Sequence, residues 1–196
     1  MKTAESSRSG RRLHTVSERI SLPPESPLGD LVKRTPTLVV FLRHFGCTFC
    51  RQTMAEVGEC RPQIESSGTA IAFVHPESAD AAQPWFEKFG LSGVLQVSDP
   101  SLKHYLAFGL GNMRMSALLS PSVVARGAAS ALSYGFGYQP PGLLRQLGGV
   151  FVVHHDQLLA SFRHQSSADR PDYLDLIRTS QAAAVTVPAS ERFDRS

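Results

Sequence analysis

Apolar residues recur along this chain in short runs separated by longer amphipathic stretches. Thr37 to His44 is a near-continuous apolar run, as expected of a strand buried on both faces of a parallel sheet. The stretch after Cys50 reads as a helix to about Ser67, with Gly68 as its C-terminal cap and Pro62 predicted to kink or interrupt it. Thr69 to His75 is a second strand. Glu77 to Phe89 is a helix with Trp85, Phe86 and Phe89 on its inner face and Gly90 at its end. Leu95 to Ser98 is a third strand, and Asp99-Pro100-Ser101 opens a helix through about Phe108. Strands alternating with helices at this spacing signal β-α-β units.

The flanks are less regular. Residues 1–12 lack periodicity and read as a disordered tail, with Arg8, Arg11 and Arg12 in a solvated Ser-rich run. Pro23 to Pro27 reads as a rigid connector, and Leu28 to Arg34 as a short helix before Pro36. Residues 109–147 are rich in Gly, Ala, Ser and Pro, with one weakly helical piece at Ser122 to Leu132 and a loop around Gly135 to Gly142. This segment reads as an insertion or lid. Val150 to Val153 and Leu158 to Phe162, joined by a polar turn, form a hairpin pattern. Asp172 to Gln181 reads as the closing helix. The expected organisation is one thioredoxin-like domain over 13–182, with tails at 1–12 and 183–196. The fold class is α/β: a central mixed sheet flanked by helices, with a helical or loop insertion before the C-terminal hairpin.

The composition leaves few alternatives. At 196 residues the chain fits one domain. Three cysteines are too few for a disulfide-built scaffold. A net charge of +3 is too small and scattered to argue for nucleic acid. No apolar run reaches the ~18–20 residues a membrane span needs. Met1 to Arg12 has no apolar signal-type region, so the expected compartment is the cytoplasm.

The chemistry concentrates at Cys47-Thr48-Phe49-Cys50, where the first apolar strand passes through Gly46 into a helix. Unpaired N–H groups and the dipole at a helix start favour a thiolate over a thiol. The second cysteine, three residues on, is placed to close a disulfide. Arg43 and Arg51 flank the pair as candidate stabilising charges; Arg43 alternatively caps the strand end in solvent, and Arg51 is alternatively an exposed helix residue. A metal reading would need His44, Cys47, Cys50 and Cys60, yet Cys50 and Cys60 on one helix stand roughly 15 Å apart along its axis. No metal and no cofactor is therefore expected, and Cys60 is expected to be packed. His44 lies closest to the thiols and could accept a proton, or is alternatively a partly solvated strand-end residue. His154-His155-Asp156 reads as turn polarity, and His75 lies on the ligand side of the sheet.

Three stretches together resemble the peroxiredoxin-like branch of the AhpC/TSA antioxidant proteins, with the selenoprotein-L-like group nearest. They are Val40 to His44 leading into Cys47-x-x-Cys50-Arg51, Phe108 to Gly111, and Gln146 to Val153 running on through Phe162-Arg163-His164 to Ala168-Asp169-Arg170-Pro171. The resemblance implies a thiol oxidoreductase that reduces a peroxide or another oxidised small molecule and is restored by a thioredoxin or glutathione-type reductant. It also exposes two departures. Cys47 stands where the family has a Thr or Ser three residues before its attacking cysteine. Gly148 stands where the family carries an Arg, and where thioredoxins carry a cis-proline. Losing that Arg argues against efficient hydrogen peroxide turnover. By the peroxiredoxin analogy Cys50 attacks and Cys47 resolves; by the thioredoxin analogy the roles reverse. The competing function is a non-catalytic thioredoxin-like module that senses redox state or binds a partner.

Overall fold

The computed structural model describes residues 18–23, 25–112, 121–135, 137, 146–166 and 169–186. The expected tail at 1–12, its arginines and the loop at 138–142 lie outside them. In chain order the elements are β1 (Glu18–Arg19), α1 (Pro27–Arg34), β2 (Thr37–Phe41), α2 (Thr48–Ser66), β3 (Ala70–His75), α3 (Ala79–Lys88), β4 (Leu95–Ser98) and α4 (Lys103–Ala107). Then follow α5 (Pro121–Tyr134), β5 (Gly149–His154), β6 (Gln157–Arg163) and α6 (Tyr173–Thr186).

The strands form one six-stranded mixed sheet in the order β1-β6-β5-β2-β3-β4. β2, β3 and β4 run parallel, whereas β5 pairs antiparallel with β2, and β6 with β5. The α/β class, the mixed sheet and the C-terminal hairpin are those expected from the apolar pattern.

Every residue of β2 is buried, and strand alternation divides them between two cores. Leu38 and Val40 join Phe73, Val150 and Val152 beneath α2, α3 and α6. Val39 and Phe41 join Val74, Phe151 and Val153 beneath α1 and α4. Two helical layers on a sheet buried on both faces explain why β2 reads as continuously apolar. A buried polar tie fastens the second layer: Asp99 accepts from the backbone N–H groups of Lys103 and His104, and the His104 ring meets Ser26 Oγ at 2.9 Å.

The boundaries shift where polar backbone groups find other partners. The expected strand to His44 stops at Phe41: Leu42 still donates to β3, and Arg43 then turns its N–H toward Cys50 of α2. Pro62 does not interrupt α2, which runs unbroken to Ser66. The lost hydrogen bond falls near the helix end, where Ile64 is fully buried against the core. α6 continues to Thr186, past the expected Gln181.

Gly58 is where α2 meets the end of α3 most closely. A Cβ there would stand 2.1 Å from the Phe89 carbonyl oxygen, which is backbone and cannot swing away, whereas Gly111 has open space around it. Gly58→Ala is expected to lower stability by about 1–3 kcal/mol through overpacking, and Gly111→Ala to change it little. Urea unfolding of the two variants checks this; equal midpoints would show that the α2–α3 approach is slack.

Candidate active site

The site forms where β2 gives way to α2. Leu42 N still donates to Val74 O at 2.9 Å, as the ladder requires. Arg43 then leaves the sheet and turns its backbone N–H onto Cys50 Sγ at 3.3 Å. Cys47 N donates to His44 O at 3.2 Å, a tight turn that delivers Cys47 to the N-cap of α2. Bonds from outside hold this loop. Phe45 N donates to Glu77 Oε1 at 2.7 Å, and Arg51 Nε to Phe45 O at 2.7 Å. The Tyr105 hydroxyl donates to the carbonyls of Leu42 and Val74, tying the ends of β2 and β3 together below the site.

The two sulfurs are brought together and buried, Cys47 at 3 % exposed and Cys50 at 6 %. The Cys50 thiol donates to the Cys47 sulfur, and this bond is the largest influence lowering Cys47 from 9.0 to about 6. Burial opposes the shift. The Arg43 charge and the first-turn N–H groups of Cys50 and Phe49 reinforce it. Cys50 moves the other way, well above the usual thiol range, because ionising it would break the same bond, desolvate a second charge and place it beside the first. Of the two, Cys47 is therefore the one pushed toward the thiolate.

Arg43 is buried inside the site and does not cap the strand in solvent; its Nη1 lies 3.8 Å from Cys47 Sγ. Arg51 is buried too, contrary to an exposed helix position, and the charges of both cysteines act on its guanidinium. It bonds Phe45 O, reaches Tyr134 O at 3.1 Å and lies 4.2 Å over the Trp85 ring. Trp85, expected wholly inside, is half-buried and forms part of this rim, stacked on Phe45. His44 is fully buried rather than partly solvated, and desolvation first, then Arg43 and Arg51, lowers its pKa to about 4, so the ring is neutral. His75 packs against Phe45 and Phe86. Cys60 lies farther along α2, partly buried against the core. Among the described residues no three His, Cys, Asp or Glu side chains converge as metal ligands do.

Gly148 explains the departure at its position. A Cβ there would sit 2.4 Å from the Phe41 carbonyl oxygen and 3.3 Å from His164 Nδ1, so no arginine fits. The positive charge beside the thiols comes from Arg43 instead.

A family model for AhpC/TSA antioxidant enzymes matches residues 59–166. The chain belongs to the AhpC/TSA antioxidant enzyme family. Its membership places it among peroxiredoxin- and thioredoxin-like oxidoreductases, as the ordered motifs led one to expect. Over 83 residues it is 35 % identical to the thioredoxin-like protein AAED1, chloroplastic, of Arabidopsis thaliana, covering 42 % of this chain but only 33 % of that protein. It is 28 % identical over 173 residues, 84 % of each chain, to the prostamide/prostaglandin F synthase of Salmo salar. Among solved structures, peroxiredoxin 6 of Arenicola marina shares the fold, with a TM-score of 0.56 at 12 % identity over 83 % of this chain and 70 % of that one. The family match begins beyond Cys50, so membership rests on β3 through β6 and the chemistry of the pair rests on its geometry.

Sequence patterning did not reveal what covers the thiols in this AhpC/TSA protein. α5 packs on α2, with Gly127 against the Phe49 ring, and Gly137 N donates to Gly46 O at 3.2 Å. Residues on both sides of Cys47 are thus roofed by the segment read as an insertion or lid, and the Arg51–Tyr134 bond joins roof to site. Arg51→Met is expected to lower hydrogen-exchange protection across α5 by about tenfold, as losing one charge-assisted bond of ~1.4 kcal/mol implies, and to leave β2 and β5 unchanged. Unchanged protection in α5 would show that Arg51 does not hold it.

Proposed function

We propose that this protein is a thiol oxidoreductase in which Cys47 attacks and Cys50 resolves. The observation that carries the reading is the placement of Cys47 at the N-cap of α2, buried beside Cys50 with the Arg43 guanidinium 3.8 Å from its sulfur. This is the thioredoxin order, and it sets aside the peroxiredoxin analogy that favours Cys50 as the attacking residue. The Cys47 thiolate attacks one oxygen of a peroxide; the O–O bond breaks, Cys47 becomes a sulfenic acid, and the leaving oxygen departs as an alcohol after taking up a proton. Cys50 then attacks the Cys47 sulfur, and its proton leaves with the hydroxyl as water. The Cys47–Cys50 disulfide has received the two oxidising equivalents, and two electrons from an external dithiol or two thiols restore it.

Arg43 stabilises the attacking thiolate. Arg51 acts as a positioning residue through Phe45 O and α5. The buried site, the missing arginine at Gly148 and the likeness to the Salmo salar prostamide/prostaglandin F synthase favour an organic oxidised substrate over hydrogen peroxide. The cytoplasm and a thioredoxin or glutathione-type reductant belong to the same reading.

Substitution separates the roles. Under a stoichiometric organic hydroperoxide, Cys50→Ser is expected to accumulate a sulfenic acid on Cys47 that a dimedone-type probe captures, and Cys47→Ser to react at least about tenfold more slowly, since burial still raises its remaining thiol once Cys47 is gone. The wild type should yield a Cys47–Cys50 linked peptide by mass spectrometry. Trapping on Cys50 in Cys47→Ser, with Cys50→Ser inert, would restore the peroxiredoxin order. A wild type that forms the disulfide but never turns over would mark a redox-sensing module.

A further inference from the structure

We infer that Tyr105 is a positioning residue for the resolving thiol: through the Leu42–Arg43 peptide unit it aims and polarises a backbone N–H onto Cys50. The inference rests on the redox reading above and adds to it a residue that governs the second chemical step. Tyr105 stands on α4 and is fully buried. Its hydroxyl has one proton and two carbonyl neighbours, Leu42 O and Val74 O, the latter at 3.1 Å. Val74 O already accepts from Leu42 N at 2.9 Å, so the larger share of the phenol proton falls to Leu42 O.

The carbonyl of Leu42 and the N–H of Arg43 belong to one peptide unit. A trans unit points its C=O and its N–H in opposite directions, so a donor at one end faces an acceptor at the other. The N–H end meets Cys50 Sγ at 3.3 Å. The order is therefore phenol O–H to carbonyl, then N–H to sulfur: two hydrogen bonds in series across one conjugated unit. Donation to the oxygen draws electron density from the nitrogen and makes its N–H the stronger donor, the cooperativity of hydrogen-bond chains. The phenol is kept in its donor form: burial first, then the charges of Cys50, Asp99 and Glu77, push its ionisation well above the ordinary range. Its ring packs edge-on against Phe41 with centroids 4.9 Å apart, which fixes the aim of the hydroxyl.

The step that needs this donor is the second one. Once Cys47 carries an S–OH, Cys50 attacks that sulfur; the S–S bond forms, the S–O bond breaks, and the Cys50 proton leaves with the hydroxyl as water. Negative charge gathers on a buried sulfur as that proton departs. The Cys47 thiolate that opposes ionisation of Cys50 is gone by then. Burial is met by the Arg43 charge and by the backbone donors of Arg43 and His44. The same N–H serves the return step. A thiolate of the external reductant attacks Cys47 Sγ, the S–S bond breaks, and Cys50 leaves as a thiolate that takes up a proton; a second thiol then releases Cys47. Cys47 draws its own N–H groups from the first turn of α2, so the initial oxidation does not depend on Tyr105.

The test separates formation of the Cys47 sulfenic acid from its conversion to the disulfide, both followed by rapid mixing with cumene hydroperoxide, quenching and mass spectrometry. Tyr105→Phe keeps the ring; it is expected to slow conversion about fivefold and to leave formation within about twofold of wild type. Replacing Tyr105 by 3-fluorotyrosine, a more acidic phenol, should speed conversion, so that the rates rank Phe, Tyr, fluorotyrosine. In the reduced protein the Arg43 amide proton signal should move upfield in Tyr105→Phe and downfield with fluorotyrosine. The Cys47 amide, bonded to His44 O, should stay in place. Formation and conversion slowed together, with no ranking by phenol acidity, would overturn the inference and leave Tyr105 a packing residue. Should Tyr105→Phe fail to fold, the fluorotyrosine chain, which keeps ring and hydroxyl, still decides: an Arg43 amide and a conversion rate that ignore the fluorine would overturn the relay. A wild type that never forms a Cys47–Cys50 disulfide would sink the redox reading instead, while the shift of the Arg43 amide would still establish the hydrogen-bond chain.

Discussion

Two sulfurs lie buried together at the head of one helix with an arginine turned in beside them, and most of what surrounds them serves that arrangement. The helix start supplies N–H groups to Cys47, and Arg43 supplies charge. The backbone of Arg43 leaves β2 in order to meet Cys50. Burial raises the cost of a second negative charge, so the two thiols differ although they sit within one helical turn. On the proposed reading, this difference makes one the attacking group and the other the resolving group.

The strand that feeds this helix is fixed from below. Its alternating side chains enter two separate cores, and Tyr105 reaches up through one of them to bond the carbonyls of Leu42 and Val74. Leu42 is thus anchored where the chain leaves β2, and Phe45 is held by Glu77 and Arg51, so that Arg43 meets the sulfurs between two fastened points. Gly148 contributes by being small: the chain closes tightly on the Phe41 carbonyl at the point where the family resemblance places an arginine. A close approach of the start of β5 to the end of β2 accompanies the buried arginine beside the thiols.

The sheet was legible in the sequence because strands and helices differ in period. The runs at Thr37, Thr69, Leu95, Val150 and Leu158 all became strands, and Ser122 to Leu132 lies within α5. The Cys-x-x-Cys pair was legible as well, since the strand, Gly46 and the helix start could all be read locally. Arg43 and Arg51 were legible as neighbours but not as roles, because an alternating pattern cannot say that Arg43 turns inward while Arg51 spans to Tyr134. His44 was misread as partly solvated because its burial depends on elements far along the chain. The roof of α5 arises from residues some eighty positions away, which no local period encodes. Family membership settles the fold and the oxidoreductase class. The order of the two cysteines is a matter of local electrostatics.

That order can be read directly by labelling the cysteine Cβ carbons with carbon-13 and following both signals by NMR through a pH titration of the reduced protein. The account predicts that the Cys47 signal titrates near pH 6, that Cys50 stays protonated beyond the ordinary thiol range, and that Arg43→Gln moves the Cys47 midpoint upward. A Cys50 signal that titrates first, or two signals that titrate together near pH 9, would contradict it.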